Sequence, residues 1–175
     1  MKQRPSELNR QYLHTRLRYE SGKLFWREKP EKDNRTGWNK KYAGKEAGGI
    51  NDDGYWKIKI DGRWFRRHRI VWAMHYGDAG IKQIDHIDGQ RSNDRIENLR
   101  TATPQQNAFN RKNQSNNPTG AKGITRKNGK FCASVVVGKK PHFAGFFNDF
   151  SEAKAAVKSL RESLHGGFCN HGEKS

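Results

Sequence analysis

Cysteine is nearly absent from this chain: Cys132 and Cys169 are the only two in 175 residues. They form no C-x-x-C pair and cannot fill a four-cysteine zinc site. Nothing calls for an oxidising compartment, so the expectation is a reduced, cytoplasmic protein. Long apolar runs are missing too. No segment approaches the roughly 18–20 apolar residues that cross a bilayer, so no membrane helix is expected. The opening residues, MKQRPSELNR, lack the apolar stretch of a secretory signal. Aliphatic residues are scarce. Leu, Ile, Val and Phe make up 30 residues, under the roughly one-fifth below which a highly charged chain is usually disordered. Aromatics argue the other way, because 11% Phe, Trp and Tyr is more than disordered chains carry. One or two small folded modules with thin cores are therefore expected.

Acidic residues are also in deficit. Against 35 Lys and Arg stand 18 Asp and Glu, for a formal net charge of +17. The excess is uneven. Residues 1–84 hold 20 basic and 10 acidic residues, 85–117 hold 5 and 4, and 118–175 hold 10 and 4. Basic flanks surround a nearly neutral centre that contains Asp85, Asp88, Asp94 and Glu97. A nuclease needs that layout, with cations to hold phosphate and a local carboxylate to hold a metal. A solvated basic surface of the ribosomal-protein kind would also give the charge.

Local patterns place the elements. Ser6 precedes Glu7, Leu8, Tyr12 and Leu13 and predicts a capped helix over 7–14. Ser21-Gly22 joins two short strands, with Leu24 and Trp26 on one face. Residues 28–48 read as a loop. Trp56, Ile58 and Ile60 alternate with Lys57, Lys59 and Asp61, and Asp61-Gly62 makes a hairpin turn. Arg66, Arg67 and Arg69 follow as a phosphate clamp, leading into a helix over 70–76 that Gly77 ends. Residues 81–87 and 96–99 read as short strands around an Asp88-Gly89 turn. Thr103 caps a helix with Pro104 at its first position. The Asn-rich stretch 111–121 reads as a linker. Beyond it, 123–126, 130–137 and 142–147 read as three strands. A helix opened by Ser151 and Glu152 carries Ala153, Ala156, Val157, Leu160 and Leu164 at helical spacing. Residues 169–175 remain as a tail.

Chemistry concentrates at Asp85-His86, Asn98-Leu99 and Asn107. Adjacent residues at a strand end point to opposite faces, so one of Asp85 and His86 can bind a metal while the other faces a water. Asn107, on the following helix, can add a second oxygen ligand. Oxygen ligands without sulphur favour Mg²⁺ or Mn²⁺.

With Asp85-His86, Asp88-Gly89, Asn98-Leu99 and Asn107 in this order and spacing, residues 17–110 resemble the HNH endonucleases of the phage and intron-borne homing branch. His68-Arg69-Ile70-Val71-Trp72 adds to the likeness. The resemblance implies an α+β fold, with a ββα-metal nuclease core at about 81–112 inside a 1–110 domain that begins with a β-hairpin extension. It also implies roles. His86 is the general base, Asn98 backs His86 through a hydrogen bond, and Asp85 and Asn107 hold one divalent metal, Mg²⁺ or Mn²⁺. Asn110 is a reserve ligand.

Residues 122–168 resemble the Apetala-two/ethylene-response-factor type of DNA-binding domain. The likeness rests on Lys122-Gly123-Ile124, Gly129-Lys130-Phe131, Ala144-Gly145-Phe146-Phe147, Glu152-Ala153 and Gly166-Gly167-Phe168. It implies a three-stranded sheet laid against duplex DNA, with phosphate contacts from Lys122, Arg126 and Lys130. The function implied is metal-dependent hydrolysis of DNA by a monomer with no obligate protein partner. Two alternatives are a DNA-binding regulator with a decayed nuclease site and a protein that binds structured RNA.

Overall fold

A computed structural model describes residues 8–172 apart from 35, 78, 79, 81, 112, 114 and 115. Ser6, Glu7 and Ile81, which figure in the sequence reading, lie outside the described residues. The chain divides into two compact units, residues 1–102 and 103–175. That division falls ahead of the 111–121 segment where composition puts the linker. No described helix is long and apolar enough to cross a membrane.

In the first unit, helix α1 (Arg10–Arg16) is capped by Asn9, whose side chain accepts from the Tyr12 amide. It thus starts later than the 7–14 expected from Ser6. Strands β1 (Leu17–Glu20) and β2 (Lys23–Trp26) form the expected hairpin, with Leu17 and Leu24 fully buried. The 28–48 region is not all loop: α2 (Trp38–Tyr42) forms inside it. Trp38 packs edge-on against Trp26 at 5.5 Å, and the Lys29 ammonium lies 4.4 Å over the Trp38 ring. These aromatics serve local packing.

Strand β3 (Gly49–Ile50) pairs with β4 (Trp56–Ile60), which pairs with β5 (Arg63–Arg66). Gly48, at φ +87°, admits no side chain, because a β-carbon there would lie 2.1 Å from the Lys57 carbonyl oxygen. Helix α3 spans Arg67–Tyr76, three residues earlier than expected, so Arg67 and Arg69 belong to it. Ile58, Ile70, Val71 and Met74 join Leu13, Leu17 and Leu24 in one buried cluster. Against it pack β6 (Gln83–His86) and β7 (Leu99–Ala102), whose register sets Asp85 opposite Arg100 and His86 opposite Leu99. Residues 96–98 form a 3-10 turn, so the second strand follows Asn98 instead of containing it.

The second unit opens with α4 (Pro104–Phe109), which Thr103 and Gln106 cap reciprocally. Strands β8 (Ile124–Lys127), β9 (Lys130–Val137) and β10 (Lys140–Phe147) form an antiparallel sheet with β9 central. Helix α5 (Phe150–His165) is capped by Asp149, one residue before the expected start. Ala153 and Val157 bury against Ile124, Ala133 and Val135. The other face of the sheet leaves Val136, Phe143 and Phe146 exposed. Polar residues of the 111–121 stretch bond to the local backbone. Asn113 donates to the Gly120 carbonyl, Asn117 to that of Ala121, and Thr119 to that of Ile124.

Candidate active site

His86 ends β6 because that strand pairs with β7 only as far as Leu99. Its side chain is buried at 5% exposure. The Nε2 of His86 lies 2.7 Å from Oδ1 of Asp94, a fully buried carboxylate on the loop between β6 and β7. The second oxygen of Asp94 accepts from Nε of Arg67 at 2.6 Å. Arg67 in turn donates to Glu46 at 2.8 Å and to the Ser92 carbonyl at 3.1 Å. A chain of paired side chains therefore runs from half-buried Glu46 through buried Arg67 and Asp94 to His86. An imidazole whose Nε2–H donates to a carboxylate keeps its basic lone pair on Nδ1.

His68 supports this centre from α3. Its ring meets that of His86 edge-on at 4.9 Å and approaches Tyr55 at 5.3 Å. Burial, with the neighbouring His86 and the nearby arginines adding, pushes its pKa down to about 3. It is a neutral ring near neutral pH. His68, His86 and Asp94 have ligand atoms within 4.8 Å of one another and could in principle hold an ion. Both oxygens of Asp94 are already engaged, however, and a cation there would consume the one base the site offers.

Asn98 does not back His86. Its side-chain amide donates to Asp88 Oδ1 at 3.0 Å and to the Asn93 carbonyl at 2.8 Å, and its oxygen accepts from the Asp88 amide at 3.1 Å. The physical reason is its position in the 3-10 turn, which aims the amide across the loop instead of along β6. Asn98 shapes the 88–98 loop, and Asp94 takes the backing role. The sequence signal for Asp94 was slight, a lone acid in a polar stretch. Asp88 is likewise a loop-building residue. Its backbone partner Gln90 and the side chains of Asn93 and Asn98 hold its carboxyl below the usual range, against burial, which acts to raise it.

Asp85 is 6% exposed. Its Oδ2 accepts from both Nε and Nη2 of Arg100, each at 3.0 Å, across the β6–β7 pair. Asn107 stands on α4 in the second unit, where its amide continues the helix by bonding the Thr103 carbonyl. Asn110, also in that unit, is 5% exposed and accepts from the Asn170 side chain at both its carbonyls, so its role there is to secure the chain end.

The expected phosphate-binding cations divide sharply. Arg67 is 4% exposed and fully engaged in the chain of paired side chains, so it is no phosphate clamp. Arg69 donates to the Lys82 and Gly80 carbonyls. Arg66 stays exposed, 3.5 Å from Asp53 and stacked over Tyr55 at 4.0 Å. In the second unit Lys122 is diverted as well. Its ammonium bonds the carbonyls of Phe109, Arg111 and Asn170 at 2.9, 2.6 and 3.1 Å. Burial, with Arg161 adding, lowers its pKa to about 8. Arg126 lies 4.8 Å over the Phe131 ring, and Lys130 is exposed at the start of β9.

Comparison with known proteins identifies one family segment. The sequence pattern of the HNH endonuclease family matches residues 65–109, which carry Arg67, His68, Asp85, His86 and Asp94. Protein 3.8 of Escherichia phage T7 is 36% identical over 107 residues, covering 59% of this chain and 87% of that protein. An HNH endonuclease of Acanthamoeba polyphaga mimivirus, named as uncharacterized, is 39% identical over 85 residues, covering 49% of this chain and 44% of its own. No solved structure matches. The family match ends short of the three-stranded unit.

Proposed function

Because the chain belongs to the HNH endonuclease family, with the family's domain at residues 65–109, we propose that it hydrolyses phosphodiester bonds of duplex DNA with His86 as general base. The observation that carries this reading is the buried contact of His86 Nε2 with Asp94 at 2.7 Å. It leaves Nδ1 as the nitrogen that takes a proton from water. The water oxygen then bonds to phosphorus, the bond to the 3′ oxygen breaks, and that oxygen gains a proton from solvent. The products are a 5′-phosphate and a 3′-hydroxyl.

Asp85 would hold one divalent metal ion. Its donor is a carboxylate oxygen, which suits Mg²⁺ or Mn²⁺, and Asp85 is a buried carboxylate neutralised by a cationic partner. When bound, such an ion polarises the phosphate and stabilises the departing oxygen. Asp94 holds the imidazole in one tautomer and offsets the charge it acquires. His68, kept neutral, fills the far side of His86 without repelling a protonated ring.

Duplex binding falls to the cations that remain exposed. In the first unit these include Lys59 of β4 and Arg66, with Lys57 half-buried opposite Arg66. In the second, the sheet face away from α5 presents Lys130 beside exposed Val136, Phe143 and Phe146. That face is where a module of the Apetala-two/ethylene-response-factor type would meet DNA. Supercoiled plasmid incubated with Mg²⁺, Mn²⁺ or EDTA tests the reading. Nicking with either metal and none in EDTA is expected. Binding without nicking in any metal would instead favour a DNA-binding protein with an inactive site.

A further inference from the structure

The Asp85–Arg100 pair carries more than an ion pair. Asp85 is the residue read above as a metal ligand, and two guanidinium nitrogens of Arg100, Nε and Nη2, each lie 3.0 Å from one of its oxygens, Oδ2. The two side chains stand directly opposite in the β6–β7 register, so they share a sheet face. Asp85 is 7% exposed and Arg100 18% at the side chain. A carboxylate so buried requires a counter-charge, and Arg100 supplies it.

A guanidinium and a divalent cation compete for the same oxygen. Each weakens the other's hold on Asp85, and the coupling is reciprocal. A displaced Arg100 would remain tethered to β7 beside the site. Its planar fork of N–H donors matches the paired oxygens of a phosphate. We propose that Arg100 is an exchanging counter-ion: it holds Asp85 in the resting protein and passes to the phosphate of bound DNA when a divalent cation takes Asp85. This rests on the assignment of Asp85 as a metal ligand. Arg100 then has two roles of opposite sign, since it opposes cation binding before DNA arrives and aids the reaction afterwards.

The test uses the full chain with Mn²⁺ as the probe. Mn²⁺ binding is measured by electron paramagnetic resonance without DNA, and single-turnover nicking at saturating Mn²⁺. Arg100→Gln should bind Mn²⁺ about tenfold more tightly and nick at least tenfold more slowly. Arg100→Lys, which keeps the charge, should bind Mn²⁺ within about threefold of the wild type yet still nick more slowly, having lost the fork. Unchanged or weaker Mn²⁺ binding by Arg100→Gln, while Asp85→Asn abolishes binding, would overturn the exchange. Tighter binding with undiminished nicking would overturn the passage to phosphate. Wild-type Mn²⁺ binding by Asp85→Asn would remove the ligand assignment itself, a pattern distinct from both. If Arg100→Gln does not fold, Arg100→Lys decides through its nicking rate, and wild-type nicking by it would overturn the proposal.

Discussion

Replacing Asp94 by Asn changes almost no volume but removes the charge at the centre of the first unit. Two contacts are at stake, with Arg67 at 2.6 Å and with His86 at 2.7 Å. Hydrogen bonds to charged groups contribute about 1.5–3 kcal/mol each, and an amide can retain part of both. Arg67 keeps Glu46 and the Ser92 carbonyl, so its charge is not left wholly unpaired. A loss of about 2–4 kcal/mol follows, out of the roughly 5–15 kcal/mol typical of a domain. The protein should fold and melt several degrees lower. Its chemistry should suffer more. An amide that turns its NH₂ toward Nε2 reverses the tautomer and puts the proton on Nδ1, where the base must be empty. Single-turnover plasmid nicking should fall by about 10²–10⁴, the usual worth of general-base help, with DNA affinity nearly unchanged. Asn98→Ala is the control, since it loosens the 88–98 loop and lowers stability without touching the tautomer. Its residual nicking should keep the wild-type pH midpoint. A folded, DNA-binding Asp94→Asn protein that nicks within threefold of the wild type would refute the reasoning.

Two further outcomes are expected. His68 is buried neutral, with its pKa pushed down to about 3. The unfolded chain takes up a proton on this ring near pH 6.5 while the folded one does not until about pH 3. Stability is therefore complete above pH 6.5 and falls as pH drops through that window, by up to about 1.4 kcal/mol per pH unit. Urea unfolding from pH 7 to 4 should show the slope, and His68→Phe should flatten it; an identical slope would contradict the assignment. Lys122→Met should lower the melting temperature of the second unit, because three backbone carbonyls lose their donor. It should leave the salt dependence of DNA binding intact, whereas Lys130→Ala should reduce that slope by about 0.9. The reverse pattern would restore Lys122 as a phosphate contact.

Much of the fold can be read from local signals. The hairpins at Ser21-Gly22 and Asp61-Gly62 form where turn residues meet alternating strands, with left-handed backbone at all four positions. The three strands and helix of 124–165 follow from Asn128-Gly129 and from helical spacing of the apolar residues. Helix starts were harder to read. Asn9 caps α1, Asp149 caps α5 ahead of Ser151, and α3 begins at Arg67, whose side chain pairs with the buried Asp94. Cations show the clearest limit. Arg66, Arg67 and Arg69 look alike in sequence, yet one is exposed, one is buried in an ion-pair chain, and one bonds to carbonyls. Lys122 gives no local sign of its three carbonyl partners, two of which lie 11 and 48 residues away. The site divides the same way. Asp85 and His86 are legible as neighbours on a strand, whereas the partnership of His86 with Asp94 depends on the path of the loop. Long-range charge pairing has no periodicity to betray it.

The central claim is that His86 is the base, and His86→Ala tests it most directly. The substituted protein should still bind duplex DNA and Mn²⁺, and its metal-dependent nicking of supercoiled plasmid should fall by at least about 10². Nicking at the wild-type rate by a folded His86→Ala protein would contradict the account.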